Sequence, residues 1–164
     1  MKQLLVIRHA KSGWDSFTFN DFDRTLNERG HQDAPMMAKR LLKNKIKIDA
    51  FISSPAIRAF TTAAYFAKAY DVKESSILQI PELYHAPASV FFNVISKIDD
   101  ALNTVAVFAH NPGITDFVNE LTDTQIANMP TCAVFAVKAN ISHWKSFKSA
   151  EKDFLFFDYP NKDQ

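Results

Sequence analysis

Arg8-His9 follows one apolar run, His110-Asn111 follows another, and Arg58 comes shortly after Ser53-Ser54-Pro55. Two arginines and two histidines gathered at one place make a site for a dianion. Guanidinium groups match phosphate oxygens with paired donors and keep their charge at any working pH. A histidine among them has a different use. Its ordinary pKa is ~6.5. Nearby guanidinium groups disfavour the imidazolium, so the ring keeps a lone pair and can act as a nucleophile. A backbone carbonyl on its other nitrogen would fix the tautomer.

Such residues converge only if the elements carrying them end at one edge. Leu4–Ile7 reads as a buried strand running into Arg8, His9 and Ala10. Phe51-Ile52 is a short strand ending in Ser53-Ser54-Pro55, with Pro55 suited to the first turn of the next helix. Ala59, Thr62, Ala63, Phe66 and Ala67 give that helix an apolar face. Thr104–Ala109 is a further buried strand, ending in His110-Asn111-Pro112-Gly113. There Asn111 is the expected N-cap and Pro112 the first helical residue, which would offer free amides to an anion. A helix follows Asn27, and another spans Val90 to Ile98. Ile77–Ile80, Val134–Val137 and Phe154–Tyr159 supply the other strands, and Asn140–Ala150, with Trp144, reads as a turn. Strands alternating with helices imply an α/β fold with a mainly parallel sheet covered on both faces. Ligands of such sheets bind beyond the carboxyl ends of the strands.

Composition narrows the alternatives. The 164 residues suit one domain, 1–164. Lys and Arg number 19 against 18 Asp and Glu, giving a net charge of +1 and no footprint of a nucleic-acid binder. No run approaches a membrane span, and the start of the chain has too few apolar residues for a signal peptide. The expected location is cytoplasmic. Cys132, the one cysteine, excludes an internal disulfide, and no cysteine cluster can hold zinc. It also lacks a surrounding glycine-rich phosphate cradle, which leaves histidine as the nucleophile.

Four blocks together resemble the histidine phosphatase superfamily, whose signature is Arg-His-Gly, and within it the small SixA-type phosphohistidine phosphatases. They are Arg8-His9-Ala10-Lys11-Ser12, Asp23-Arg24-Thr25-Leu26-Asn27-Glu28-Arg29-Gly30, Ser53-Ser54-Pro55-Ala56-Ile57-Arg58-Ala59, and His110-Asn111-Pro112-Gly113. The resemblance implies a three-layer α/β/α sandwich of phosphoglycerate-mutase-like fold. It implies phosphoryl transfer without a metal or other cofactor. His9 would take the phosphoryl group, Arg8 and Arg58 would hold its oxygens, and His110 would donate a further hydrogen bond. Ser12 and Asn111 are read as substrate-binding, although Ser12 suits a turn cap equally well.

One position departs from the pattern. Many members place a glutamate after the third strand as general acid, where this chain reads Pro81-Glu82-Leu83-Tyr84-His85-Ala86-Pro87. Glu82 and His85 are the available acids, and neither matches clearly. An alkoxide leaving group needs a proton donor. An imidazole leaving group needs it less, which leans toward a phosphohistidine substrate carried on a protein. The alternatives are a small-molecule phosphoesterase and a non-catalytic phosphate-binding or scaffolding module. The short Pro81–Ala88 gap leaves little room for a lid, and nothing fixes the oligomeric state.

Overall fold

The computed structural model describes residues 1–14 and 20–162. Phe17 and Phe19 of the aromatic loop lie outside them. The strands are β1 (Lys2–Arg8), β2 (Ala50–Ser53), β3 (Leu78–Gln79), β4 (Thr104–Ala109), β5 (Val134–Ala139) and β6 (Lys152–Asp158). They form one sheet in the order β3-β2-β4-β1-β5-β6. β3, β2, β4 and β1 are mutually parallel, and β5 runs antiparallel to both β1 and β6. This is the expected α/β fold with a mostly parallel sheet.

Burial explains the layering. β1 and β4 are covered on both faces, which is why they read as continuous apolar runs. Alternate residues serve opposite cores. Leu4, Val6, Val105 and Val107 face one side with α3 (Ala88–Ser96) and α4 (Gly113–Asn119). Leu5, Ile7, Ala106 and Phe108 face the other with α1 (Glu28–Lys43) and α2 (Ile57–Ala69). On the α3/α4 side, Phe91 and Phe117 stack with ring centroids 4.9 Å apart. On the α1/α2 side, Phe66 meets Phe108 edge-on at 5.2 Å. Each fully buried side chain of this size contributes about 1.5–3 kcal/mol. Trp144 is fully buried in a short 3-10 turn rather than lying in an open one.

Several local expectations shift. The third strand shrinks to Leu78–Gln79, an edge pair with Leu78 exposed. Pro55 lies outside α2, whose cap position is Ala56. Asn111 does not cap α4: the helix starts at Gly113, and Pro112 occupies the cap position. The Asn111 side chain is engaged elsewhere, accepting from Thr115 Oγ1 at 2.6 Å and donating to Asn128 Oδ1 at 2.8 Å. A ready partner one turn on competes successfully with the helix amides. Asn27, by contrast, caps α1 by accepting from the Gly30 amide at 2.9 Å. No helix among the described residues is long and apolar enough to cross a membrane.

Close backbone approaches hold the loops beyond the sheet. A β-carbon on Gly113 would lie 1.7 Å from the Ala86 carbonyl oxygen, so α4 abuts the segment after β3. Gly113→Ala must push that segment away. It should cost about 1–3 kcal/mol, as overpacking does, read from the urea midpoint. An unchanged midpoint would contradict the contact.

Candidate active site

The carboxyl ends of β2, β4 and β1 lie side by side. Ile7 pairs with Phe108, Arg8 with Ala109, and Ser53 with Phe108. Backbone bonds continue the alignment past the strands. His9 N–H donates to the Ala109 carbonyl at 3.2 Å, and Ser54 N–H to Phe108 at 3.0 Å. The first turn of α2 then carries Arg58 across the same edge.

These residues line a cavity of about 330 Å³ that includes Arg8, His9, Lys11, Ser12, Asp21, Arg24, Arg58, His85, His110, Asn111 and Thr131. Two grooves elsewhere are larger, about 580 and 590 Å³, but neither is lined by a histidine or an arginine. Chemistry, not size, selects the site. Among the described residues, four cationic side chains line it against one carboxylate.

His9 is buried, with Nδ1 2.7 Å from the Ala10 carbonyl. A carbonyl only accepts, so Nδ1 carries the proton and Nε2 keeps the lone pair. Arg58 Nε lies 3.4 Å from that Nε2. Burial drives the His9 pKa down to about 3, against the pull of the Ala10 carbonyl, with Arg58, Arg8 and Arg24 adding to the depression. His110 is buried beside it, the ring centroids 5.2 Å apart. Its Nε2 shares a hydrogen bond of 2.7 Å with Ser54 Oγ, and its buried Nδ1 has no protein partner. Burial, then His9 and Arg58, bring the His110 pKa to about 2. Both rings are neutral at neutral pH.

The arginines are held differently. Arg8 Nη1 donates to the Met129 carbonyl at 2.8 Å. Arg58 donates from Nη1 to the Asp21 carbonyl at 2.6 Å and from Nη2 to Asp21 Oδ2 at 2.8 Å. Arg24 bridges Ser12 Oγ at 2.7 Å and Asp21 Oδ1 at 3.1 Å, and its guanidinium lies 4.8 Å from the Trp14 ring centroid. Tyr84 donates to Asp21 Oδ2 at 2.7 Å, and His85 Nε2 lies 3.5 Å from it. These donors hold the Asp21 carboxyl well below the usual range despite its partial burial.

Of the residues singled out in the sequence, Arg8, His9, Arg58, His110, Ser12, Asn111 and His85 come together. Glu82 does not. The 3-10 turn Pro81–Leu83 buries Leu83 and sends Glu82 into a separate groove with Leu78 and Ile80. His85 sits at the rim with φ 56°, a backbone region disfavoured for a side chain with a β-carbon. Asp21, Arg24, Tyr84 and Ser54 carry roles that sequence reasoning missed. Arg24 lay within a quoted block, whereas Asp21 had no signal beyond its nearness to it. Cys132 is fully buried, and burial pushes its thiol pKa far up. His31 and His143 are exposed and bond to Tyr65 and Asp100. No cluster of His, Cys, Asp or Glu among the described residues has the makings of a metal site.

Sheet and pocket define an α/β protein with a histidine- and arginine-lined cavity at a strand-end edge. The chain belongs to the histidine phosphatase superfamily, whose branch 1 model matches residues 4–83. An uncharacterized chloroplastic protein of Arabidopsis thaliana is 27% identical over 152 residues, covering 88% of this chain and 69% of the relative. Phosphoserine phosphatase 1 of Hydrogenobacter thermophilus is 33% identical over 85 residues, covering 49% of this chain and 39% of the relative. Among solved structures, a candidate phosphohistidine phosphatase SixA from Agrobacterium tumefaciens superposes with a TM-score of 0.81 at 21% identity, covering 98% and 99% of the two chains. The protein histidine phosphatase SixA complexed with tungstate gives 0.80 at 23% identity, covering 96% and 97%. The likeness to these structures establishes the fold.

The neutral histidines make the fold acid-sensitive. Unfolded, each ring takes a proton near pH 6.5. Folded, they take one only near pH 3 and 2. The unfolded state therefore binds more protons as pH drops below about 6.5, and stability falls. Each ring contributes about 1.4 kcal/mol per pH unit across the window down to its folded pKa. Urea unfolding at pH 7, 6 and 5 should show this slope, and His110→Gln should reduce it. An identical slope in the variant would contradict the burial of a neutral His110.

Proposed function

We propose that the chain 1–164 acts as one catalytic domain, a phosphatase working through a covalent phosphohistidine on His9, and that its substrate is a phosphohistidine carried on a protein. The supporting observation is the His9 ring itself: Nδ1 committed to Ala10, and Nε2 unprotonated beside Arg58. A nucleophile for phosphorus needs this lone pair, and the transferring group needs the adjacent cations.

In the first step the Nε2 lone pair attacks phosphorus in line, and the bond to the leaving group breaks. Arg8 and Arg58 hold the equatorial oxygens as charge spreads over them. Arg58 still has N–H donors left for this, because its protein contacts use three of five. His110 donates from Nδ1, with the Ser54 hydroxyl donating to its Nε2. Ser12 Oγ accepts from Arg24, so its own proton is free to meet a phosphoryl oxygen. Asn111 anchors the loop after β4 and lines the wall. In the second step water attacks phosphorus and the P–N bond breaks. The Nδ1 proton, held by Ala10, lets His9 leave as neutral imidazole. The cations of the pocket supply the positive field for both steps.

Because no carboxylate among the described lining residues is placed to act as an acid, the leaving group should need little proton donation, and this favours imidazole over an alkoxide. A second reading, a small phosphoester as substrate, is favoured by the likeness to a phosphoserine phosphatase. His85 at the rim would then be the donor.

Brief exposure to substrate should leave acid-labile, base-stable phosphate on His9. His9→Ala should abolish both the label and the turnover of a phosphohistidyl protein and of phosphoserine. Label on serine or aspartate would sink the mechanism. The substrate turned over faster distinguishes the two readings. Arg58→Ala should lower kcat by about 10²-fold or more, because its charge acts most in the transition state. A raised KM at unchanged kcat would make it peripheral.

A further inference from the structure

We infer that Asp21 is a specificity-determining residue that accepts the far N–H of a departing imidazole and so favours N-phosphoryl over O-phosphoryl substrates, an inference that rests on the phosphohistidine reading above. Asp21 is the one carboxylate among the described residues that line the cavity, and a third of its side chain is exposed there. Among the described residues, Oδ2 accepts from Arg58 Nη2 and Tyr84 Oη, and Oδ1 from Arg24 Nη1. An ionised carboxylate has about four lone-pair sites. One therefore remains, on Oδ1, directed neither to Arg58 nor to Tyr84.

The surroundings decide what that site can do. Arg58 faces Asp21 from α2, Arg24 from its own segment, Tyr84 and His85 from the segment after β3, and His110 acts on it from the end of β4. Two guanidinium groups and a phenol proton hold it ionised. It cannot hand a proton to an alkoxide. It can receive a hydrogen bond from a ring that is already protonated.

That is what a phosphoimidazole leaving group requires. The His9 Nε2 lone pair forms the new P–N bond. The old P–N bond breaks, and its electrons stay on the substrate nitrogen. The proton on the far nitrogen, bonded to Asp21 Oδ1, stays on the ring, which departs as neutral imidazole. No proton is delivered from elsewhere. Ala10 does the same for His9, accepting its far N–H at 2.7 Å. The two imidazoles that exchange the phosphoryl group are thus each backed by a fixed oxygen.

The test compares wild type, Asp21→Asn and Asp21→Glu on a phosphohistidyl peptide and on p-nitrophenyl phosphate, whose phenolate needs no acceptor. Because Asp21 also holds Arg58, Asp21→Asn should slow both substrates, but its loss in kcat/KM on the peptide should exceed its loss on the ester by tenfold or more. The alkaline limb of the peptide profile should move down by about one pH unit, because the carboxylate no longer favours the protonated ring. Asp21→Glu should recover part of the peptide activity alone. Parallel loss on both substrates, or an unmoved limb, overturns the assignment and leaves Asp21 as a prop for Arg58. Wild-type peptide turnover that Asp21→Asn leaves intact overturns it as well, while the phosphohistidine reading stands. Wild type that hydrolyses the ester and spares the peptide overturns both.

Discussion

The site depends on an imidazole and a guanidinium placed 3.4 Å apart without the imidazole taking a proton. In water such a ring would be about one-quarter charged at pH 7, given its ordinary pKa. Here burial, followed by the charges of Arg58, Arg8 and Arg24, forbids it. The Ala10 carbonyl works the other way on the pKa, yet it is indispensable, because it decides which nitrogen keeps the lone pair. Arg58 is itself tolerable at this depth because Asp21 supplies two acceptors for it. A buried guanidinium without such partners is strongly unfavourable.

Sheet topology makes this proximity possible. β4 lies between β2 and β1, so the loops bearing Ser54, His110 and His9 leave from neighbouring strands. Because all three strands are parallel, their carboxyl ends share one edge. The antiparallel β5 contributes from the opposite direction. Just before its start, the Cys132 N–H donates to the Arg8 and His9 carbonyls, with Cys132 at φ 61°. The backbone of the Arg8-His9 pair is therefore gripped by β4 on one side and by the approach to β5 on the other.

The parallel core was legible because β1 and β4, buried on both faces, carry apolar runs that lead into polar residues. His9 and His110 were legible for the same reason, each sitting just past a strand end, while Arg58 lies in the first turn of the helix after β2. Other features left no such trace. β3 is two residues long, and pairing with β2 rather than its own pattern makes it a strand. Asn111 has the composition of a cap, and only the fold supplies Thr115 and Asn128 as competing partners. Glu82 and His85 are three residues apart in sequence, yet the turn that buries Leu83 sends them to different cavities. Asp21 could not be read at all. Its role comes from a loop that returns to α2, and no periodicity records that.

Charge shows the same separation between sequence total and local arrangement. The chain carries +1, whereas the pocket lining alone, four cations against one carboxylate, carries +3. Surface charges separated by more than about 8–10 Å are largely screened at physiological salt, and buried ones much less. Under the proposed function, a phosphoryl group close to His9 would meet Arg8, Arg58 and Arg24 with little screening, while distant surface charges would contribute little to holding it. Affinity for a phosphoryl group and non-specific adhesion to polyanions would then be set by different residues. On that reading a nearly neutral chain would bind a dianion at one point without becoming a general anion binder.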